Sequence, residues 1–157
     1  MLGGDAPDRA APVPSRTMWP RVDGYRSLEL GAPGEQRIRL NGLVLHGTKR
    51  AAAGIRVEYE DEGESVERVG EVLVLLDSGR QGIGRLVVTG VFECGFDEVP
   101  WDFAEAEGEG FTSIGDWRGR HRRFWEGEGH VVRAETPIVC ILFEMLTSSC
   151  PPESSEG

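Results

Sequence analysis

Lysine is almost absent from this chain of 157 residues: Lys49 is the only one, and arginines supply the remaining basic charge. Cysteine is scarce as well. Cys94, Cys140 and Cys150 are odd in number and form no C-x-x-C or other metal spacing, which excludes a disulfide framework and a thiolate zinc site. The first two read as buried thiols in a reducing compartment. Nothing approaches the ~18 consecutive apolar residues of a membrane span. The opening MLGGDAPDRAAPVPSR also lacks the continuous apolar segment of a secretory signal, so a soluble, cytoplasmic protein without membrane association is expected. Basic residues vanish altogether between Leu86 and Trp117, where Glu93, Asp97, Glu98, Asp102, Glu105, Glu107, Glu109 and Asp116 fall.

What the chain has in excess is negative charge. A formal net charge of -10 opposes nonspecific attraction to a polyanion, so any anion-binding surface must be local. The strongest candidate is WRGRHRRFW, which follows the acidic stretch and gathers Arg118, Arg120, Arg122 and Arg123 around His121. A second acidic block, Glu58 to Glu67, reads as a solvated loop.

At this length one domain is expected. The ends, residues 1–17 and 147–157, are poor in core formers and read as disordered tails around a folded unit over 18–146. Within that unit SLEL (27–30) alternates as a strand. Pro33, the apolar residues from Ile38 to Leu45, and Gly47 predict a helix over 33–46. AAAGIRVEY reads as the return strand, its small residues allowing a backbone or a ligand to come close. EVLVLLD and IGRLVVTGVFECGF form a hairpin about DSGRQG. VPWDFAEAEG and TSIGDWRGRHRRFWEG read as helices, the second capped by Thr112 or Ser113 with Asp116 in its first turn. PIVCILFEML reads as a buried last strand. The class is α+β: about five or six mainly antiparallel strands with about three helices, their closure pointing to a small barrel.

In chain order, SLELGAPGE, LVLHGTKRAAAG, VEYEDEGESVERVGE, EVPWDFAEAEGEGFTSIGDWRGRHRRFW and IVCILF resemble the ASCH domain family of the PUA-like superfamily, in its actinobacterial form. The marks are a helix followed by G-x-K, an E-G-E-G stretch leading into S-x-x-x-W-R-x-x-H, and a final V-C strand. The resemblance implies a PUA-like β-barrel with a cleft in which the G-x-K and E-G-E-G segments face each other, as a site for RNA or a nucleotide. It also brings ribonuclease action and hydrolysis of acetylated cytidine as activities known among relatives.

Carried over residue by residue, Lys49 matches the family lysine and Glu109 its acidic partner, which makes these two the candidate catalytic pair. Lysine differs from arginine in being a point charge whose pKa neighbours can move, so a lysine beside a carboxylate can act as a base once its pKa is lowered. Glu107, two residues before Glu109, would project to the same side of an extended segment. The candidate ligand-binding set is Lys49, Arg50, Glu107, Glu109, Ser113 and Arg118. The family threonine three positions after the lysine is Ala52 here, and an arginine common near the end is Leu142, so a hydroxyl nucleophile is not expected. Thr48 is a possible substitute. Trp117, His121, Phe124 and Trp125 share one helix face and read as packing residues, His121 among them as a core histidine. No metal or other cofactor is expected.

The leading expectation is therefore binding of RNA or a nucleotide or nucleoside in a cleft lined by Lys49 and Glu109. The alternatives are a hydrolase of RNA or of acylated pyrimidine nucleosides, with the same pair activating water, and an interaction module that uses the acidic surface.

Overall fold

The computed structural model describes residues 19–146, so the two tails predicted from the sequence lie outside the described residues. The strands are β1 (Arg21–Val22), β2 (Tyr25–Leu28), β3 (Ala51–Ile55), β4 (Val72–Leu76), β5 (Gly82–Gly95) and β6 (Pro137–Met145). The α-helices are α1 (Glu35–Leu45), α2 (Arg56–Asp61), α3 (Trp101–Ala106) and α4 (Ile114–Gly127), with a 3-10 turn at Phe96–Glu98.

The six strands make one sheet in the order β1-β2-β4-β5-β6-β3. The β2–β4 pair is parallel and every other pair is antiparallel. Among the described residues β1 and β3 are the two edges of this sheet and do not pair with each other, so the expected closure into a barrel is not seen. The class remains α+β, as a mixed sheet with four helices.

The last strand is apolar from Ile138 to Phe143 because both of its faces are covered there. Val139, Ile141 and Phe143 join Leu40 and Val44 of α1 in one cluster, with Leu73, Leu75, Leu86 and Val88 from the neighbouring strands. Ile138 and Cys140 point the other way, into Phe96, Phe103, Trp117 and Trp125 from the α3 and α4 side. The central hairpin turns at Asp77, whose Oδ1 accepts from the N–H groups of Gly79 and Gln81 at 2.9 and 2.8 Å. Such a side-chain turn is what short acidic residues provide.

Two expectations are corrected. AAAGIRVEY is a strand only as far as Ile55, which pairs with Ile138. The next residue of the partner strand is Pro137, which has no N–H to give, so the ladder stops and the chain winds into α2. This adds the fourth helix. The acidic block from Glu58 to Glu67 is not a solvated loop either, because Glu64 and Glu67 are buried. Glu64 accepts from the Trp19 N–H at 2.6 Å and from Arg21 at 2.9 and 3.1 Å, with Arg26 at 3.5 Å, while Glu67 accepts from the Tyr59 hydroxyl at 2.8 Å. Arginines from the first hairpin, far away in sequence, make that burial possible.

Candidate functional site: a cleft along the edge strand

The lysine segment is held by backbone bonds on both sides. The N–H groups of Thr48 and Lys49 donate to Leu43 O at 2.9 and 3.0 Å, closing the C-terminus of α1, and the Arg50 N–H reaches Ala106 O at 2.8 Å. The second bond ties the start of β3 to the end of α3. Gly108 presses on the same segment: a Cβ at this position would lie 2.1 Å from Thr48 O, and its φ is +64°. Only glycine permits that approach and that backbone conformation. The contact brings the carboxylates of both Glu107 and Glu109 to Lys49.

Lys49 is 2 % exposed. Its Nζ donates to Glu109 Oε2 at 2.6 Å and to Glu107 Oε2 at 3.3 Å, and the Glu107 carbonyl oxygen lies 3.5 Å away. Three acceptors around one nitrogen is the bonding of an ammonium, which has three donors and no lone pair. A single-point cation satisfies such a cluster where a planar guanidinium fork does not.

Glu107 is 1 % exposed, and its Oε1 accepts from Trp117 Nε1 and stands 3.3 Å from His121 Nε2. Burial pushes this carboxyl up, but the Lys49 ammonium, His121 and the Trp117 N–H outweigh it and hold the group down at about 2. The His121 ring stacks on Trp117 with centroids 4.1 Å apart, and its Nδ1 lies 3.0 Å from Trp117 O. Both ring nitrogens thus lie near oxygen atoms of the protein. Glu109 is different. Its side chain is 14 % exposed, and among the described residues no protein donor meets its Oε1. That oxygen is the open acceptor of the cluster.

The cluster forms one end of a cleft that follows β3. Lys49, Glu107, Glu109, Phe111, His121 and Phe124 line this end, with Gln36, Arg39 and Arg120 around it. Ala52 and Ala53 line the same cavity and keep the strand side of it free of bulk. The cleft continues past Leu30, Phe124 and Trp125 into a larger cavity of about 270 Å³, lined by Trp19, Glu29, Arg37, Glu58, Tyr59, Glu67 and Glu128 among others. Arg37 fixes the wall between the two ends by donating to Leu30 O at 2.9 Å and to Gly31 O at 2.8 Å. In the larger cavity burial pushes Glu67 up, and partial desolvation at the cavity rim together with the neighbouring Glu58 pushes the otherwise exposed Glu128 up to about 7.

Of the residues expected from the sequence, Lys49, Glu107 and Glu109 come together. Ser113 is instead the N-cap of α4, its Oγ accepting from the Asp116 N–H at 3.0 Å, and Arg118 donates to Asp97 O at 2.9 Å. Neither lines the cleft. Arg50 and Thr48 are exposed. Sequence reasoning assigned His121 to packing, yet it also touches Glu107 and lines the cavity. Its spacing from Trp117 is equally that of a core position, so the signal was ambiguous. Arg39 and Phe111 were missed because nothing in α1 or the α3–α4 loop marks them as facing the β3 edge, whereas Arg120, read from the sequence only as part of the basic run WRGRHRRFW, comes from α4 to the same end of the cleft.

The ASCH domain family model matches residues 28–147. The chain belongs to the ASCH domain family. This ASCH protein, from a PUA-like family associated with RNA binding or hydrolysis, is similar to a protein from Enterococcus faecalis V583 at 27% identity and a TM-score of 0.68, with 75% of this chain and 74% of that one covered. It is also similar to an ASCH domain from Lactobacillus crispatus JV V101 at 28% identity and a TM-score of 0.66, covering 77% of this chain and 80% of the other. The actinobacterial form finds no support in these comparisons. No curated protein matches the chain. Among the described residues of this ASCH domain no helix is long and apolar enough to cross a membrane.

Proposed function

We propose that this ASCH domain binds a nucleotide or a short single-stranded RNA in the β3 cleft, through a base that carries an exocyclic amino group. The observation that carries the reading is the division of labour in the cluster: Lys49 is fully engaged by oxygens, while Glu109 keeps Oε1 open. A carboxylate so held accepts from an amino group of cytosine, adenine or guanine. Phe124 offers an aromatic face for the ring and Arg39 lines the same end and suits a phosphate, while Arg120 lies over the Phe111 ring at 5.0 Å from its centroid and is held by Asp116. Arg50, exposed beside Lys49, is available to a further phosphate of a longer RNA. Carboxylates at the far end of the cleft disfavour phosphate there, which orients the ligand.

The hydrolytic alternative has less support. Ala52 has no hydroxyl, and a Lys49 whose donors all meet acceptors holds no lone pair to take a proton from water. Isothermal titration with cytidine and adenosine monophosphates and a single-stranded pentanucleotide, on wild type and Glu109→Gln, tests the proposal. The expected result is binding by wild type and at least tenfold weaker binding by the variant; equal affinities would remove Glu109 from the site.

A further inference from the structure

We propose that Glu58, Glu128 and His130 form a binding site for a divalent transition-metal cation, Mn²⁺ or Zn²⁺, at the end of the cleft away from Lys49. The three residues are distant in sequence, yet each presents one ligand atom within 4.8 Å of the others, and His130 Nε2 stands 2.8 Å from Glu58 Oε2.

Two of the ligands sit on a backbone turn of defined form. Glu128 is the C-cap of α4, Gly129 follows with φ +95°, the Gly129 N–H donates to Glu126 O at 3.0 Å and the His130 N–H to Trp125 O at 3.0 Å. These two bonds make a Schellman motif, which fixes Glu128 and His130 on either side of the glycine. Glu58 comes from α2, the short helix forced by the end of the β3 ladder. Metal–ligand bonds of about 2.0–2.2 Å separate ligand atoms by roughly 3 to 3.5 Å, so side-chain rotation alone closes this set on an ion.

The surroundings also favour a cation. Glu58 and Glu128 line the larger cavity with Glu29, Glu67 and Arg37, and that guanidinium is engaged away from Glu58 and Glu128, by the carbonyls of Leu30 and Gly31 and by Glu29 Oε2 at 3.4 Å. Two carboxylates balance the charge of a divalent ion, and the imidazole nitrogen selects a transition metal over Mg²⁺ or Ca²⁺. Three protein ligands leave coordination positions open toward the cavity for water or an oxygen of a bound molecule.

The test is titration of the full chain, dialysed against chelator, with MnCl₂, followed by calorimetry and by the Mn²⁺ electron paramagnetic resonance signal. Mn²⁺ is used first because the thiols compete for Zn²⁺. One cation per chain is expected, with affinity at least tenfold weaker in Glu128→Gln and in His130→Gln and unchanged in Glu109→Gln. Glu128 is exposed, so its variant keeps the fold and decides the matter if His130→Gln does not. No uptake by wild type at millimolar Mn²⁺, or uptake by Glu128→Gln equal to wild type, would overturn the site whether or not the Lys49 end holds a nucleotide.

Discussion

Lys49 donates to Glu109 at 2.6 Å across sixty residues of chain, with Glu107 on the same ammonium at 3.3 Å. A buried cation shared by two carboxylates is a structural commitment as well as a site. Removing it leaves buried charge uncompensated, so Lys49→Met is expected to lose about 3–5 kcal/mol of stability in urea denaturation. A loss below about 1 kcal/mol would mean that the cluster is far better solvated than its burial implies. For this reason Glu109→Gln, not a lysine variant, is the informative change for ligand binding.

Gly108 gives a second prediction. Alanine at this position would put a Cβ 2.1 Å from Thr48 O, so Gly108→Ala must separate the two segments that assemble the cluster. Gly110 also has a positive φ, +83°, but nothing lies within 4 Å of a Cβ there. Gly110→Ala should therefore cost about 1–2 kcal/mol from backbone strain alone, and Gly108→Ala distinctly more. Similar melting temperatures for the two would contradict the close approach.

The acid limb of the stability curve is a third. Glu107 is lowered from an ordinary value of 4.5 to about 2, so it contributes stability that is present above pH 4.5 and lost as pH falls through about 2. A depression of this size is worth about 3 kcal/mol at neutral pH. Wild type should lose that amount between pH 5 and the acid limit, and Glu107→Gln should be less stable at neutral pH with a flatter acid limb. Parallel curves would show that the carboxylate is not held by Lys49 and His121.

Glu64 separates buried from exposed acids within one block. Glu64→Ala strips acceptors from Trp19, Arg21 and Arg26 and should cost about 2 kcal/mol or more. Glu60→Ala removes only an exposed pair with Arg56 at 3.7 Å and should stay within about 0.5 kcal/mol. Thermal melts of the two variants make the comparison.

Local chemistry was readable where one segment decides its own structure. Ser113 and Asp116 announce the start of α4, DSGRQG announces the hairpin, and PIVCILFEML announces a strand covered on both faces. The meeting of Lys49 with Glu109 was readable only through family resemblance, since no local pattern joins residues so far apart. What stayed hidden depends on partners remote in sequence. Arg21 and Arg26 are what bury Glu64, Pro137 is what ends β3 at Ile55, and Glu58 meets His130 only once α2 has formed. Barrel closure was inferred from the number of strands, which says nothing about whether β1 and β3 pair.

The cleft itself is tested by a heteronuclear NMR titration of the ¹⁵N-labelled chain with a cytosine- and adenine-containing single-stranded pentanucleotide. If the β3 cleft holds the ligand, shift changes gather on Lys49, Ala52, Ala53, Glu109, Phe111 and His121, and Glu109→Gln abolishes them at the same ligand concentration. Changes confined to surfaces away from β3, or a spectrum that does not move, would contradict the binding role given to Lys49 and Glu109.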